Sequence, residues 1–484
     1  MKFRMNTPTL LKTLICFGVI LLFWFIPPLA PLTVTGMRVI GVFIGTILLL
    51  SLVDTVWPAI LAVALLSQTG VATLNAAIAG SFGSWIVYFV LMSFVMTYAL
   101  TEAGFTARLA CWFMSRKFAS KSPWMFTFSL AALGMLLGLF MDQVPATAFM
   151  LAFTAKIYQQ LGYKTGDRYP MMMNIAAVFA VNIGGAMTPI SHSLAILGMG
   201  IYQGATGEAI SLFTYMIYGV PTGLVAAILL ALLMRVFIKC DMDKVKNFDI
   251  KEISGNQKPM DLKEKTVVAI FFITALLWML PGILRLFANG TPFVTWINSY
   301  GITFWAILSV TVMAVVRIDD KPLIDLKHIL NKEINWAVLV FIAIGVYLGS
   351  AVSDPSVGLS DLITTYFVPL LNGMSPIMIV LLIAFLTCLI TNFASNVTTI
   401  TVMTGVGVTL ALAVGNVNPV AIALTTTMMG SCAFIMPSSF GTIAMLHGNE
   451  YSKPSLIIKL GCVAAAVCVI VGTFVGYNIC AALA

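Results

Sequence analysis

Charged residues are scarce in this sequence, and their scarcity excludes a water-soluble protein. Asp, Glu, Lys and Arg together make up 9% of the 484 residues, whereas soluble proteins carry about 25%. Hydrophobic residues make up 60% of the chain, so most of its outer surface must face lipid. At roughly 20 apolar residues per span, the apolar runs predict an all-α polytopic membrane protein with about eleven transmembrane helices.

Several functional motifs are also missing, and each absence excludes a class of protein. The chain has no Gly-x-x-x-x-Gly-Lys-Ser/Thr loop for a nucleotide, and its cysteines lack the spacing of metal ligands. We therefore expect no cofactor and no ATP hydrolysis. His192 is flanked by Ser191 and Ser193, but no aspartate is placed to orient the histidine as in a catalytic triad. An enzyme is therefore not expected.

The net charge of +8 does not indicate a nucleic-acid partner. Lys and Arg lie in short loops between apolar runs, as they do in the cytoplasmic loops of membrane proteins. The expected partner is the lipid bilayer, here a cell (inner) membrane. Lys2, Arg4 and Lys12 place the N-terminus in the cytoplasm. An odd number of crossings would then place the C-terminus outside.

Two long apolar stretches, 123–162 and 374–415, are interrupted by polar residues in the middle. The interruptions run from Asp142 to Thr147 and from Thr391 to Thr399. The flanking arms look too short to span comfortably, which predicts two re-entrant hairpins. Irregular backbone at that depth is tolerated only where it lines a cavity or is buried in protein. The run 36–66, in contrast, predicts one continuous span.

These features divide the chain into five predicted regions. The linker is the longest charged stretch and is too short to bury a core of its own. The regions are N-terminal scaffold helices (1–82), a first repeat with its hairpin (83–238), a cytoplasmic linker (239–265), further scaffold helices (266–334), and a second repeat with its hairpin (335–484).

Three landmarks recur in the two repeats at a nearly constant separation. Trp85 and Trp336 open equivalent spans, Thr147 and Thr399 follow equivalent tips, and Pro189 and Pro437 lie at equivalent breaks; the separations are 251, 252 and 248 residues. The charges of equivalent loops differ, however. Four basic residues lie between 108 and 121, whereas the matching stretch 353–373 has none. Because basic loops face the cytoplasm, the two repeats are predicted to be inverted.

Inverted repeats with interrupted helices are typical of secondary transporters. Breaks are predicted at both hairpin tips, at Thr188-Pro189 and at Pro437-Ser438. Each break starts a short helix whose N–H groups can bind an anion without a buried Lys or Arg. The sequence therefore predicts transport of a small anion, driven by an ion gradient.

The motifs at these breaks resemble those of the divalent anion:sodium symporter (DASS) family of the ion transporter superfamily. The second tip, residues 393–399, is similar to the family's Ser-Asn-Thr motif, with Val397 in place of Thr. Asn182 to Pro189 resembles its Gly-Gly-x-x-Thr-Pro break, and Ser431 to Pro437 its Ser-x-Ala-Phe-x-x-Pro segment. The resemblance implies a di- or tricarboxylate or sulfate as substrate, Na⁺ or H⁺ coupling or exchange, a homodimer, and elevator-like motion.

Candidate site residues come from the breaks and from this resemblance. Candidate substrate ligands are Pro145, Thr147, Thr188, Pro189, Ser191, His192, Asn396, Val397, Thr398, Ser438 and Ser439. Candidate cation ligands are Asp142, Gln143, Thr391, Ala394, Ser395 and Asn396, with Na⁺ expected at Thr391 and Asn396. At the first tip, positions 139, 143 and 144 lack the family's side-chain oxygens.

Two residues leave alternatives open. Asp142 would bind a cation or carry a proton, or it would only cap the helix that follows. His192 would bond a carboxylate or titrate near neutral pH, or it would be a structural side chain packed under the hairpin. The rival function is a Na⁺/H⁺ antiporter of the same superfamily, with Asp142 as the exchanging carboxylate.

Overall fold

The computed structural model describes residues 7–54, 56–119, 121–190, 192–237, 242–245, 259–288, 290–371 and 373–483. Helices make up almost all of the regular structure. In the first half they are α1 (Thr7–Phe25), α2 (Val34–Leu52), α3 (Trp57–Thr69), α4 (Leu74–Gly80), α5 (Trp85–Glu102), α6 (Phe105–Met114), α7 (Pro123–Phe140), α8 (Gln143–Gln160), α9 (Arg168–Met187), α10 (Ser193–Thr206) and α11 (Leu212–Phe237).

A 3₁₀ turn at Asp243–Val245 lies in the linker, and the second half follows it. Its first elements are α12 (Leu262–Ala288), α13 (Pro292–Val315), strands β1 (Arg317–Ile318) and β2 (Lys321–Pro322), α14 (Leu326–His328), a π turn (Ile329–Glu333) and α15 (Trp336–Val352). The next are a 3₁₀ turn (Pro355–Val357), α16 (Leu359–Leu362), a π turn (Ile363–Phe367) and α17 (Val368–Leu371). The last are α18 (Pro376–Phe393), α19 (Asn396–Val414), α20 (Pro419–Ser431), α21 (Gly441–Gly448), α22 (Pro454–Val471), a π turn (Gly472–Gly476) and α23 (Tyr477–Leu483).

Eleven helical segments in these residues are long and apolar enough to cross a membrane, or twelve if the bent pair Leu326–Glu333 and Trp336–Val352 is one span. The fold class predicted from the sequence is therefore confirmed. The predicted single span 36–66 is wrong, because the chain breaks between α2 and α3. Asp54 Oδ1 accepts a hydrogen bond from Val56 N at 2.7 Å, and Pro58 favours the start of a new helix.

Both predicted hairpins are present, and contacts fix the direction of their arms. The first hairpin consists of α7 and α8: α7 runs parallel to α9, and α8 runs antiparallel to it. The second consists of α18 and α19: α18 runs parallel to α20, and α19 runs antiparallel to it. The contacts are Gly134 with Ala177, Gly138 with Val181, Thr154 with Asn174, Gln143 with Asn182, Thr391 with Gly430, Ile400 with Gly430, Thr404 with Thr426, and Ile383 and Ile422 with Gly407.

The arms are longer than the sequence suggested. They have 18, 18, 18 and 19 residues, which is about 27–29 Å of helix at roughly 1.5 Å per residue. The hydrocarbon core of a bilayer is about 30 Å thick. The arms therefore fall just short of a full crossing, and three of the four, all except α8, are apolar enough to be candidate spans. The polar residues at 142–147 interrupted the hydropathy pattern but not α8, which begins at Gln143.

One pair of corresponding helices, α5 and α15, runs in opposite senses. Helix α10 lies antiparallel to α5 and parallel to α15, so α5 and α15, which begin at Trp85 and Trp336, are themselves antiparallel. This is the arrangement that the predicted inversion requires. The contacts are Trp85 with Gln203, Ile86 with Gly200, Gly345 with Leu197, Gly349 with Ile201, and Gly204 with Ser350.

The two halves interlock through the short helices that follow their broken helices. Helix α10 of the first half packs along α19 of the second hairpin. Helix α21 of the second half packs along α8 of the first hairpin, where a Cβ added to Gly441 would lie 3.2 Å from Val144 Cγ2. Each hairpin is thus completed by a helix from the other half.

The regions outside the hairpins have their own irregularities. Helix α13 begins at Pro292 and has a kink at Gly301, whose φ of 67° suits glycine. A two-residue β hairpin joins β1 to β2. The predicted linker 239–265 ends early, because α12 starts at Leu262; residues 239–241 and 246–258 lie outside the described residues.

An ion pair joins α6 to α12. Arg108 Nη2 lies 2.8 Å from Glu264 Oε2, and Arg108 Nε lies 2.5 Å from Glu264 Oε1. This two-point geometry matches the guanidinium to the carboxylate. The Glu264 side chain is only 6% exposed. Its hydrogen bonds raise the pKa of Arg108 above its usual value.

We predict that Glu264→Gln destabilises the protein. The neutral amide cannot accept both hydrogen bonds from Arg108, so the free energy of unfolding should fall by about 2 kcal/mol. Lys263→Gln is the matched control, because Lys263 Nζ lies 3.7 Å from Glu102 Oε1 and both side chains are about two-fifths exposed. Thermal unfolding of the purified protein in detergent measures the difference. Equal midpoints for the two variants would contradict the role given to Glu264.

Candidate functional site

The starts of four helices meet at the hairpin tips and breaks. The starts of α8 and α21 touch through Val144 and Gly441. The start of α19 is joined to the second break by a hydrogen bond from Asn396 N to Ser439 O at 3.3 Å. Helix α10 packs alongside α19 in the same direction. Backbone N–H groups and the positive ends of helix dipoles are therefore concentrated here.

The four helix starts differ in how their N–H groups are capped. Asp142 Oδ1 accepts from Val144 N at 3.0 Å, so the start of α8 has a carboxylate cap. The residues at the N-cap positions of the other three helices, His192, Ser395 and Phe440, make no side-chain capping bond. Uncapped helix starts can bind an anion. An anion could therefore bind at the second tip and at the two breaks. The start of α8 is not available in the same way, because the Asp142 carboxylate already caps it.

Gln143 lies buried directly behind the first tip. Its Nε2 donates to Asn182 O at 2.9 Å, while Asn182 Nδ2 donates to Ala433 O at 2.9 Å. Gly185 leaves the space that the Gln143 side chain fills, because a Cβ there would overlap it. Three oxygens near this tip are buried without a partner among the described residues, namely Gln143 Oε1, Asn182 Oδ1 and Thr147 Oγ1.

The second tip holds Thr391 and Asn396 together. Thr391 Oγ1 lies 2.5 Å from Gly430 O and 2.8 Å from Asn396 Oδ1, but a hydroxyl has only one proton to donate. Asn396 Nδ2 is buried without a partner in the described structure. If the amide is rotated by 180°, its NH₂ faces Thr391 and its oxygen is left unpaired instead. In both orientations one polar atom of Asn396 remains available to a ligand.

Asn392 holds the unwound backbone of the second break. Its Oδ1 accepts from Phe434 N at 2.7 Å and from Ile435 N at 3.0 Å. Its Nδ2 donates to Cys388 O at 2.7 Å and to Cys432 O at 3.2 Å. The preceding helix α20 ends at Ser431, because the chain is unwound from Cys432 onward.

The first break is also fixed by side chains. Thr188 Oγ1 donates to Leu139 O at 3.1 Å, which ties the break to the first hairpin. His192 Nε2 lies 2.8 Å from Ser431 Oγ, and His192 is 2% exposed. This buried contact supports the structural alternative for His192. His447 lies in the last turn of α21, and its Nε2 is 2.9 Å from Ile435 O.

The structure brings some of the predicted site residues together and separates others. Thr391, Asn396 and Ser439 meet at the second tip. The predicted site residues differ in exposure. Those that are buried include Thr147, Pro189, Thr398 and Ser439; those that are half-buried include Ala394, Ser395 and Val397; and those that are exposed are Pro145 and Ser438. Ser191 lies outside the described residues. No side-chain contact joins Asp142 to the second tip within the described residues.

Sequence reasoning assigned no role to Asn392 and Thr442. Both are buried, and the Thr442 hydroxyl at the start of α21 has no partner among the described residues. The sequence does contain a signal for Asn392, since an Asn in the last turn of an apolar helix indicates a buried polar contact. Asn174, in contrast, bridges helices: it bonds Thr154, Tyr158 and Asn449.

Comparisons with known proteins agree with this architecture. The sequence profile of the citrate transporter (CitMHS) family matches residues 42–427. The sodium-dependent dicarboxylate transporter SdcS of Staphylococcus saprophyticus is 26% identical over 384 residues, 77% of this chain and 72% of that protein. SdcS of Staphylococcus aureus is 25% identical over 383 residues, with the same shares.

Two solved structures share the fold. The crystal structure of the Alcanivorax borkumensis YdaH transporter has a TM-score of 0.56 and 14% identity, and the alignment covers 98% of this chain and 99% of that one. The structure of Neisseria gonorrhoeae MtrF, from a class of antimetabolite efflux pumps, has a TM-score of 0.59 and 15% identity, covering 98% and 94%.

The fold and the site define a multi-pass α-helical membrane transporter with paired hairpins and broken helices, and not an enzyme. The chain belongs to the citrate transporter family, since the family profile spans most of its length. The resemblance to the divalent anion:sodium symporters is thereby confirmed. Membership places the chain among the secondary transporters of organic anions.

We predict that Asn392→Ala abolishes transport and lowers stability. The change leaves the N–H groups of Phe434 and Ile435 buried without their acceptor, at a cost of at least ~2 kcal/mol. Asn478→Ala is the control, because that exposed amide bonds only Phe474 O. Unfolding midpoints and substrate uptake would be measured for both. A variant of Asn392 as stable and active as the Asn478 variant would overturn this role.

Proposed function

We propose that this chain transports a small di- or tricarboxylate, or sulfate, across the cell (inner) membrane. The observation that carries the proposal is the meeting of three uncapped helix starts, those of α10, α19 and α21, in a region with no buried Lys or Arg among the described residues. Helix N-termini bind carboxylates and similar anions through backbone N–H groups. The names of the SdcS relatives support a dicarboxylate in particular.

The same proposal assigns Na⁺ as the coupling ion at the second tip. Thr391, Asn396 and the carbonyl of Ser439 supply hard oxygen ligands there, and hard cations prefer oxygen. The names of the SdcS relatives also support sodium dependence. Proton coupling and anion exchange are the alternatives that the experiment must separate.

We also propose a second cation site at the first tip, where Thr147 and Asn182 join the expected ligand Gln143. Positions 139 and 144 carry no side-chain oxygen, as the sequence indicated. The buried oxygens of Gln143, Thr147 and Asn182 lie near that tip without partners among the described residues. We include them in the proposal because unpaired buried oxygens are costly unless a ligand binds them.

We also propose which parts of the molecule move during transport. The two hairpins, the broken helices α9 and α20, and the short helices α10 and α21 would move as one body, because side chains from both halves hold the second break. The segments 103–119 and 355–372 would be the arms that join this body to the scaffold. A homodimer, elevator-like motion, a cytoplasmic N-terminus and an external C-terminus complete the proposal.

Uptake into proteoliposomes tests the function. Succinate, malate, citrate and sulfate would each be offered with a Na⁺ gradient, with a pH gradient, and with trapped anion inside for exchange. We predict uptake of at least one carboxylate.

Thr391→Val should weaken the Na⁺ dependence roughly tenfold, whereas Thr409→Val, at the far end of α19, should not. If none of these anions were taken up under any of the three conditions, the proposal would be wrong.

The rival antiporter function depends on Asp142. The carboxylate caps α8 through Val144 N, and Asn caps helices as well as Asp does. We therefore predict that Asp142→Asn keeps wild-type stability, anion uptake and pH profile. Na⁺-driven proton movement in liposomes that hold a pH dye is the measurement. Proton movement in the wild type that disappears in the variant would establish the antiporter reading instead.

A further inference from the structure

An apolar groove of about 540 Å³ lies beside the first arm of the first hairpin. Helices α7, α9, α11 and α22 line it, and every lining residue is apolar. Its volume lies within the roughly 300–1,000 Å³ of ordinary ligand pockets. The groove contains none of the candidate substrate or cation ligands, so the proposed transport function does not account for it.

Small residues create this groove. Alanines line it on three helices, where larger side chains would fill the space; they are Ala131 and Ala132 of α7, Ala176 and Ala180 of α9, and Ala227 and Ala231 of α11. On α9 and α11 the two alanines are four residues apart, so each pair lies on one face of its helix. The groove is therefore a continuous feature built from several helices.

The groove opens toward the lipid. All four lining helices contain segments long and apolar enough to span a membrane. Ile228 and Leu232 at its edge are 58% and 50% exposed. A polar occupant has no hydrogen-bonding partner among the lining side chains. An acyl chain does not need one.

Two cations lie beside one end of the groove. Arg235 follows the lining residue Met234 on α11, and Lys459 precedes the lining residue Leu460 on α22. The two helices are antiparallel, since Tyr218 of α11 lies against Gly476 beyond α22, so both cations are at the same end. Both are exposed, and neither has an acidic partner within the described residues. Trp124 lies beside the lining residue Phe128, with ring centroids 5.6 Å apart, and tryptophan is typical of the membrane interface.

We propose that this groove binds a phospholipid with an anionic headgroup, whose acyl chain lies along the alanines and whose phosphate is held by Arg235 and Lys459. The complementary charge distinguishes this lipid from the bulk bilayer. The bound chain would contact Ile183 of α9, next to Asn182, which bonds the second break. The lipid would therefore support the helix that holds the site.

Spin-labelled lipids test the proposal on the full chain in lipid nanodiscs. Labelled phosphatidylglycerol should be immobilised more strongly than labelled phosphatidylcholine. Arg235→Gln and Lys459→Gln should each reduce this preference about fivefold. Lys453→Gln, which removes an exposed cation away from the lining residues, should leave it unchanged.

Filling the groove tests the acyl-chain position separately. Ala231→Phe should abolish the preferential site, whereas Leu229→Phe, on the same helix but outside the lining, should retain it. Unfolding midpoints would check that both variants are folded; if Ala231→Phe is not, the two charge variants decide. Equal immobilisation of both lipids by the wild type would overturn the proposal, as would full retention in the Ala231 variant. If a second copy of the chain covered the groove instead, the wild type would immobilise both lipids equally.

Discussion

The structure depends on how four consecutive residues of unwound backbone are held inside the membrane. Residues 432–435 belong to no helix, and lipid offers no partners for their N–H and C=O groups. Asn392 bonds Cys432, Phe434 and Ile435, and Asn182 bonds the carbonyl of Ala433. One amide comes from each half of the chain. The second break is therefore stable only while the two halves are packed together, which ties the integrity of the site to the interlocked fold.

The same break explains how a chain with so few charges can attract an anion. Unwinding ends one helix and starts another, and each new start exposes N–H groups at a positive dipole end. Packing of α8 against α21 and of α10 against α19 brings these ends together in parallel pairs. A buried Lys or Arg would be costly in this environment. Backbone dipoles supply positive potential without that desolvation cost, and they are fixed by the fold.

Much of this architecture was predictable from the sequence, but its contacts were not. Polar residues inside apolar runs located both hairpins, and prolines located both breaks to within a few residues. Hydropathy could not show that the arms have nearly the length of a span, because Thr147 and Thr391 lower the average hydropathy although both lie within helices. Asn392 was passed over because its role lies in partners more than 40 residues away along the chain, and such pairing appears only when the chain is folded.

The halves share an order of elements but differ in charge at their tips, and this difference bears on coupling. The start of α8 carries its own carboxylate, Asp142, whereas Ser395 brings no charge to the start of α19. Under the proposed function, the anion binds at the three helix starts that lack such a cap, and Asp142 keeps only its capping role. Thr391 and Asn396 place the proposed Na⁺ at the start of α19, beside these helix starts. Opposite charges interact strongly in a medium of low dielectric constant, so the cation and the anion would each favour the binding of the other.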